Sequence, residues 1–198
     1  AEDGSHKNCH QTTYGMSERI LGSIVGIHGD NKGLVLPPDV APIQVVIIPI
    51  IFKEKEKIVK DASEKLCNGL RSVGIKAHID NRDITPGNKY YDWELKGIPI
   101  RVEIGPRDVE KKEVVIVRRD TSEKQSVKDA EAVNIIKKDL DSISSNLTEE
   151  AKKILDENFH RVKTIDDAKD LKGVVELPWC GNEDCALEIE NILEGNTL

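Results

Sequence analysis

The sequence predicts an α/β protein whose central unit is a three-layer α/β/α domain built on a mixed sheet. Three observations carry this reading. Gln44–Ile50 (QVVIIPI) is a nearly continuous apolar run, the pattern of a strand buried on both faces. Ile98, Ile100, Val102 and Ile104 alternate with Arg101 and Glu103, the period of a strand. Lys53–Val73 and Lys128–Ile143 repeat apolar residues at helical spacing. The order strand, helix, strand, helix, two adjacent strands and a helix implies a mixed sheet covered on both faces.

Composition bounds what surrounds this unit. With 198 residues, 33% charged and 38% hydrophobic, the chain can bury one good core and add a small second unit. No apolar run approaches the ~20 residues of a membrane-spanning helix, and the N-terminus lacks a signal-peptide pattern. Four cysteines without a regular disulfide framework point to a reducing interior, so a cytoplasmic location is expected. The net charge of −7 argues against broad non-specific binding of DNA or RNA. Between Arg82 and Lys128, however, eleven cations meet nine anions, so this segment carries +2 and the remainder −9. Any RNA contact is expected there.

The elements follow in order. Thr12, Thr13 and Tyr14 favour a strand, and Ser17 can cap a helix carrying Ile20, Leu21, Ile24 and Val25. Gly15, Gly22 and Gly26 would let that helix pack closely on a sheet. Arg19 in the first turn opposes the helix dipole, which suits a cation facing an anion such as phosphate, although an ordinary surface arginine gives the same sequence. A further strand is expected near Gly33–Pro38, and Pro37, Pro38 and Pro42 stiffen the connector to the central unit. In Lys53–Val73 the apolar stripe is Ile58, Val59, Ala62, Leu66, Leu70 and Val73, with Cys67 beside it and Gly74 as the stop. Ile75–Ile79 reads as a strand. Pro86-Gly87 opens a short helix through Tyr90, Trp93 and Leu95 that ends at Gly97. Pro99 suggests an edge or strand-opening position for the strand that follows, and Gly105-Pro106 stops it. Glu113–Arg119 is another strand, with Val115 and Val117 alternating against charge. In Lys128–Ile143 the inward stripe is Ala132, Val133, Ile136, Leu140 and Ile143. From Leu147 a separate unit is expected: a helix capped by Thr148 with Ile154, Leu155 and Phe159 inward, a short helix over Thr164–Leu171, and a strand over Gly173–Leu177. Cys180 and Cys185 have a spacing that suits two thiolates on one tetrahedral zinc.

The candidate chemistry lies on the polar side of Thr85–Asp108. Glu94 closes the short helix, Arg101 sits mid-strand, Asp108 follows the Gly-Pro stop, and Lys124 lies beyond the next strand. Helix, strand and strand can bring these four to one rim. Carboxylates there can accept from guanine N1–H and N2–H₂, while Arg and Lys can donate to O6 and N7 or stack on a base. Mixed charge suits unstacked guanines in a single-stranded loop better than a duplex backbone. A solvated strand face would give the same alternation.

The wording WELKGIPIRVEIGPRD closely resembles the anticodon-binding domain of prolyl-tRNA synthetases of the archaeal and eukaryotic type. In that family the anticodon carries two guanines, and the resemblance implies that Glu94, Arg101, Asp108 and Lys124 contact them or their neighbour. Lys124 matches with one inserted residue between the strands. The stretch CHQTTYGMSERILGSIVGIHGDNKGLVLPP resembles motif 3 of class II synthetases, which implies that Arg19 contacts the ATP phosphates and Ser17 lies beside the nucleotide. PWCGNEDCALEIENIL resembles the C-terminal zinc-binding domain of the same family, which implies that Cys180 and Cys185 are half of a structural zinc site.

The implied organisation is the end of a class II catalytic domain over residues 1–36, a three-layer α/β/α anticodon-binding domain with a mixed five-stranded sheet over 37–146 and a small α+β C-terminal domain over 147–198. The implied activity joins proline to its tRNA through a prolyl-adenylate, using ATP with Mg²⁺, in a homodimer that acts on the tRNA(Pro) anticodon loop rather than on DNA or a membrane. Motifs 1 and 2 would lie upstream of Ala1, so the isolated chain is expected not to form the adenylate. A stand-alone RNA-binding module, a threonyl, glycyl or histidyl synthetase, and a flavodoxin-like small-molecule binder are the rival readings. The last is disfavoured because Ile50 runs into FKEKEK rather than a Gly-rich loop.

Overall fold

A computed structural model of the protein describes residues 4–6, 8, 10–52 and 55–193. Its centre is the expected mixed α/β sandwich. Five strands, β1 (Val45–Pro49), β2 (Ala77–Ile79), β3 (Ile100–Ile104), β4 (Glu113–Arg118) and β5 (Lys124–Lys128), lie in the order β2-β1-β3-β4-β5. β1 pairs in parallel with β2 and β3, while β3–β4 and β4–β5 are antiparallel. From β1 the chain crosses to β2 on one side, then returns over β1 to β3 on the other. Right-handed crossovers in opposite directions put their helices on opposite faces. Accordingly α2 (Glu56–Ser72) and α3 (Pro86–Leu95) lie on different sides of the sheet.

One core joins Val45, Ile47, Ile100, Val102 and Ile116 of the sheet to Val59, Leu66 and Leu70 of α2 and to α5 (Asp129–Asn158) through Ile136, Leu140 and Ile143. The other joins Val46, Ile48, Trp93 and Ile98, with Ile43 and Tyr90 packed against them. All five residues of β1 are buried, as a run covered on both faces requires. Cys67 is a core residue whose thiol is pushed up by burial. Ile58 and Val73, assigned to the inner stripe of α2, are about half exposed (54% and 51%), and Ser63 takes a buried place by donating to the Val59 carbonyl.

Several expectations are corrected. Thr12–Tyr14 form no strand: without a neighbouring strand to pair, they stay irregular and exposed. The first helix, α1, spans Arg19–His28, with Glu18 rather than Ser17 at its N-cap and no side-chain cap. No residue of α1 is buried, and its Gly22 and Gly26 have open space where a Cβ would stand, so they do not serve close packing on a sheet. Gly33–Leu36 is no strand of a sheet; instead Leu34 and Leu36 donate to the carbonyls of Leu95 and Gly97. Gly97, at φ +70°, brings its backbone so near Leu34 that a Cβ would fall 2.5 Å from the Leu34 carbonyl. Pro99 does precede β3, but β3 is central, not an edge, and Ile98 packs on the opposite face from Ile100. In β4 it is Val114 and Ile116 that enter the main core, not Val115 and Val117.

Beyond the Gly105-Pro106 stop, α4 (Pro106–Lys111) forms; Lys112 ends it at φ +54°. α5 runs without a break across the boundary expected at residues 146 and 147. Leu147 belongs to the main core, and Thr148 lies inside the helix, its hydroxyl donating to the Ser144 carbonyl rather than capping. Ile154 and Leu155 are exposed on its last turns, and Phe159 opens β6 (Phe159–Arg161). β6 pairs in parallel with β7 (Val174–Glu176). Thr164–Leu171 holds only a 3-10 turn at Asp166–Ala168, and α6 (Glu183–Leu193) ends the described chain. Lys53, the expected start of α2, lies outside the described residues. No helix among them is long and apolar enough to cross a membrane.

Candidate nucleic-acid interface

The site begins with the anchoring of α3. Thr85 caps it by accepting from the Asn88 N–H, and Pro86 occupies its first turn. At its base Asp80, buried at the end of β2, accepts from Trp93 Nε1 (2.7 Å) and from two guanidinium nitrogens of Arg82 (3.0 and 2.7 Å). Arg82 also donates to Asp92 at 2.7 Å, and Lys89 Nζ donates to the Asp80 carbonyl at 2.9 Å. Burial pushes the Asp80 carboxyl up, but the hydrogen bonds from Arg82 and Trp93 outweigh it and hold the group well below the usual carboxylate range. These bonds fix the helix on the sheet through its Trp93 face. Glu94, one residue on, is thereby turned toward β3.

There Arg101 Nη1 donates to Glu94 Oε1 at 3.1 Å, and Arg101 Nε donates to Glu103 Oε1 at 3.1 Å. The guanidinium lies over the Tyr90 ring, 4.3 Å from its centroid. Lys124 Nζ, at the start of β5, reaches Glu103 Oε1 at 3.6 Å. Burial, then the nearby Glu103 charge, pushes the Tyr90 hydroxyl up to about 12, and Asp108 adds to the same effect. Asp108 Oδ2 accepts from the Gly105 N–H at 2.8 Å, as the third residue of α4 reaching back to its N-terminus.

Glu94, Arg101 and Lys124 thus form one chain of charge through Glu103, and the Asp108 charge acts on the same tyrosine hydroxyl. One expectation fails in detail: Arg101 is not an outward donor. It is 8% exposed, covered by Tyr90 and committed to two carboxylates. The groups left open are Glu94, with its side chain 32% exposed, and Lys124, at 56%. Tyr90 and Glu103 were missed as site residues. Glu103 stands two residues from Arg101 on the same strand face, which is the signal that could have found it.

The other candidates lie elsewhere. Ser17 and Arg19 are exposed at the start of α1, where the Arg19 carbonyl accepts from the Ser23 hydroxyl. Cys180 is exposed and Cys185 half-buried, both free. The Asn182 N–H and the Cys185 thiol lower the Cys180 thiol, while that shared hydrogen bond raises Cys185. Two adjacent thiols are half of a tetrahedral set. Among the described residues no group of three or more His, Cys, Asp or Glu could hold a metal, so the expected zinc site is not complete there.

Residues 44–139 match the family model described as Anticodon binding domain. That segment is an anticodon-binding domain of this family. The anticodon-binding segment covers the whole five-stranded sheet with α2 to α4 and the first part of α5, and therefore all four rim residues. Similarity extends further. The chain is 51% identical over 201 residues to a proline–tRNA ligase of Thermococcus kodakarensis, with all of this chain and 42% of that protein covered. A proline–tRNA ligase of Pyrococcus abyssi is 49% identical with the same coverage. One of Methanothermobacter thermautotrophicus is 42% identical over 192 residues, 95% of this chain and 40% of that protein. The chain spans well under half the length of these relatives.

Proposed function

We propose that this chain is the anticodon-reading part of a proline–tRNA ligase and that the Glu94 rim selects guanine in the tRNA(Pro) anticodon. The observation that carries the proposal is the state of Glu94. Arg101 holds one carboxylate oxygen, which leaves the other to accept from a guanine N–H edge beside the exposed Lys124 ammonium. Arg101 then acts by orienting Glu94 and Glu103, not by touching a base. Asp108 supplies a second acceptor across Tyr90. Similarity over the whole of this chain to part of archaeal ligases extends the reading to the parent activity: ATP-dependent activation of proline with Mg²⁺ as counter-ion, then transfer to tRNA, by a cytoplasmic homodimer.

Within that activity Arg19 holds a phosphate oxygen of ATP and Ser17 lies beside the nucleotide. On this reading residues 1–36 close the catalytic domain and 37–146 read the anticodon, with α5 carrying on through Leu147 into the C-terminal unit.

The test is equilibrium binding of the intact protein to anticodon stem-loops with guanine, or inosine lacking the 2-amino group, at the second and third anticodon positions. Glu94→Gln should reduce the preference for guanine by about 1–3 kcal/mol. An equal loss of affinity for every anticodon would remove Glu94 as a base reader.

A further inference from the structure

Lys32 lies outside the family-matched segment, in the Asp30–Gly33 turn that follows α1, yet the structure brings it to the rim. Its ammonium donates to Ser122 Oγ at 3.3 Å, and Ser122 lines the same small depression as Glu94, Arg101 and Trp93. The turn that carries it is held with unusual care. Asp30 Oδ1 accepts from the N–H groups of Lys32 (2.8 Å) and Gly33 (3.1 Å), and its carboxylate is gripped by Arg119 at 2.6 and 2.8 Å. Arg119 is 6% exposed, and its Nε donates to the Glu94 carbonyl at 3.1 Å. One buried guanidinium therefore fixes both the turn and the backbone of the reading carboxylate. The Arg119 hydrogen bond holds the Asp30 carboxyl down at about 2, so this pair stays ionised and its charges cancel.

What remains is the Lys32 ammonium itself. Among the described residues its only partner is a neutral hydroxyl. A cation kept in place without a carboxylate suits a ligand that brings its own negative charge. Among the five rim groups the three carboxylates of Glu94, Glu103 and Asp108 face only the two cations Arg101 and Lys124, which are themselves paired with Glu94 and Glu103, so a further cation beside them favours an approaching phosphate backbone.

We propose, on the basis that the rim binds the anticodon loop, that Lys32 is a backbone-phosphate contact for that RNA. The footprint then extends past residues 44–139 into the turn after α1, and the Asp30–Arg119 pair is its positioning device. Phosphate contacts fix register and carry no base information.

Affinity of the intact protein for anticodon stem-loops, measured from ~0.05 to 0.2 M salt, tests this directly. Lys32 is exposed, so Lys32→Gln should leave the fold intact. The variant should lose about fivefold in affinity near 0.1 M salt, equally for loops with guanine and with adenine at the second and third positions. Its log–log salt slope should become shallower by about 0.7, and Lys32→Arg should restore both. Unchanged affinity and slope would overturn the proposal, as would a loss confined to guanine-bearing loops. If the unmodified protein bound every anticodon equally while Lys32→Gln still flattened the slope, anticodon reading would fall and the phosphate contact would stand.

Discussion

The central sandwich and the segments that flank it bury their apolar residues in opposite ways. The chain has two tryptophans, and they mark the contrast: Trp93 is 7% exposed, wedged between α3 and the sheet, whereas Trp179 is 60% exposed. β1 and β3 have every residue buried, while α1 has none. In the sandwich both faces of the sheet have found their cover within the chain. In α1, Leu21 and Val25 are 65% and 49% exposed, and in the C-terminal part Leu155 and Leu187 are 58% and 51% exposed. The stability of the chain therefore resides in the sandwich, and the rim inherits its rigidity.

The sharpest way to break this comparison is to cut the shared core. Ile100 is fully buried between α2, α5 and the sheet. Ile100→Ala should cost about 2–5 kcal/mol through lost burial and the cavity left behind. Urea unfolding followed by Trp93 fluorescence measures it, with Trp179 changed to Phe so that one emitter remains. A cost below ~1 kcal/mol would mean that the sandwich is loosely packed and that the contrast with the flanks is false.

The same contrast explains how much was legible in the sequence. Periodicity found β1, the bodies of α2 and α3, and the apolar side of β3, because each obeys a local rule. It failed where a distant residue supplied the cover. Alternation marked Arg101 and Glu103 as polar, but nothing local says that Tyr90, eleven positions earlier, lies over the guanidinium. Pro99 broke the parity, so Ile98 went to the other face. Thr148 has the residue type of a helix cap, yet Leu147 just before it is pinned in the core and α5 simply continues. The charges of the rim were legible as residue types. Their pairing, and the link from Asp30 to Arg119 across 89 positions, depends on tertiary structure alone.

A smaller effect probes the anchor beneath the reading helix. Asp80 has a carboxyl lowered in the folded state, so its contribution is present above the unfolded pKa near ~3.9 and is lost as pH falls through the folded value. Asp80→Asn should cost about 1–3 kcal/mol at pH 7, because Arg82 loses the buried one of its two carboxylate partners and keeps only Asp92. Below pH ~4 the unmodified protein should lose stability more steeply than the variant, and the gap between the two should narrow. Urea midpoints taken at intervals from pH 7 to 2.5 check this. Parallel profiles would show that this carboxylate does not anchor α3 through its charge.

The smallest effect is expected where no residue is buried. Leu21→Ala in α1 removes a side chain that is already 65% exposed, so unfolding of the 198-residue chain should shift by no more than ~0.5 kcal/mol. Helix propensity works in the same direction, because alanine is at least as good a helix former as leucine. The measurement is informative because the relatives are more than twice as long as this chain. In a protein of that length the same substitution should cost more wherever the additional residues cover α1. A cost above ~1 kcal/mol in the short chain would show that α1 is already packed in solution, and the sandwich would no longer be the only self-sufficient part of the molecule.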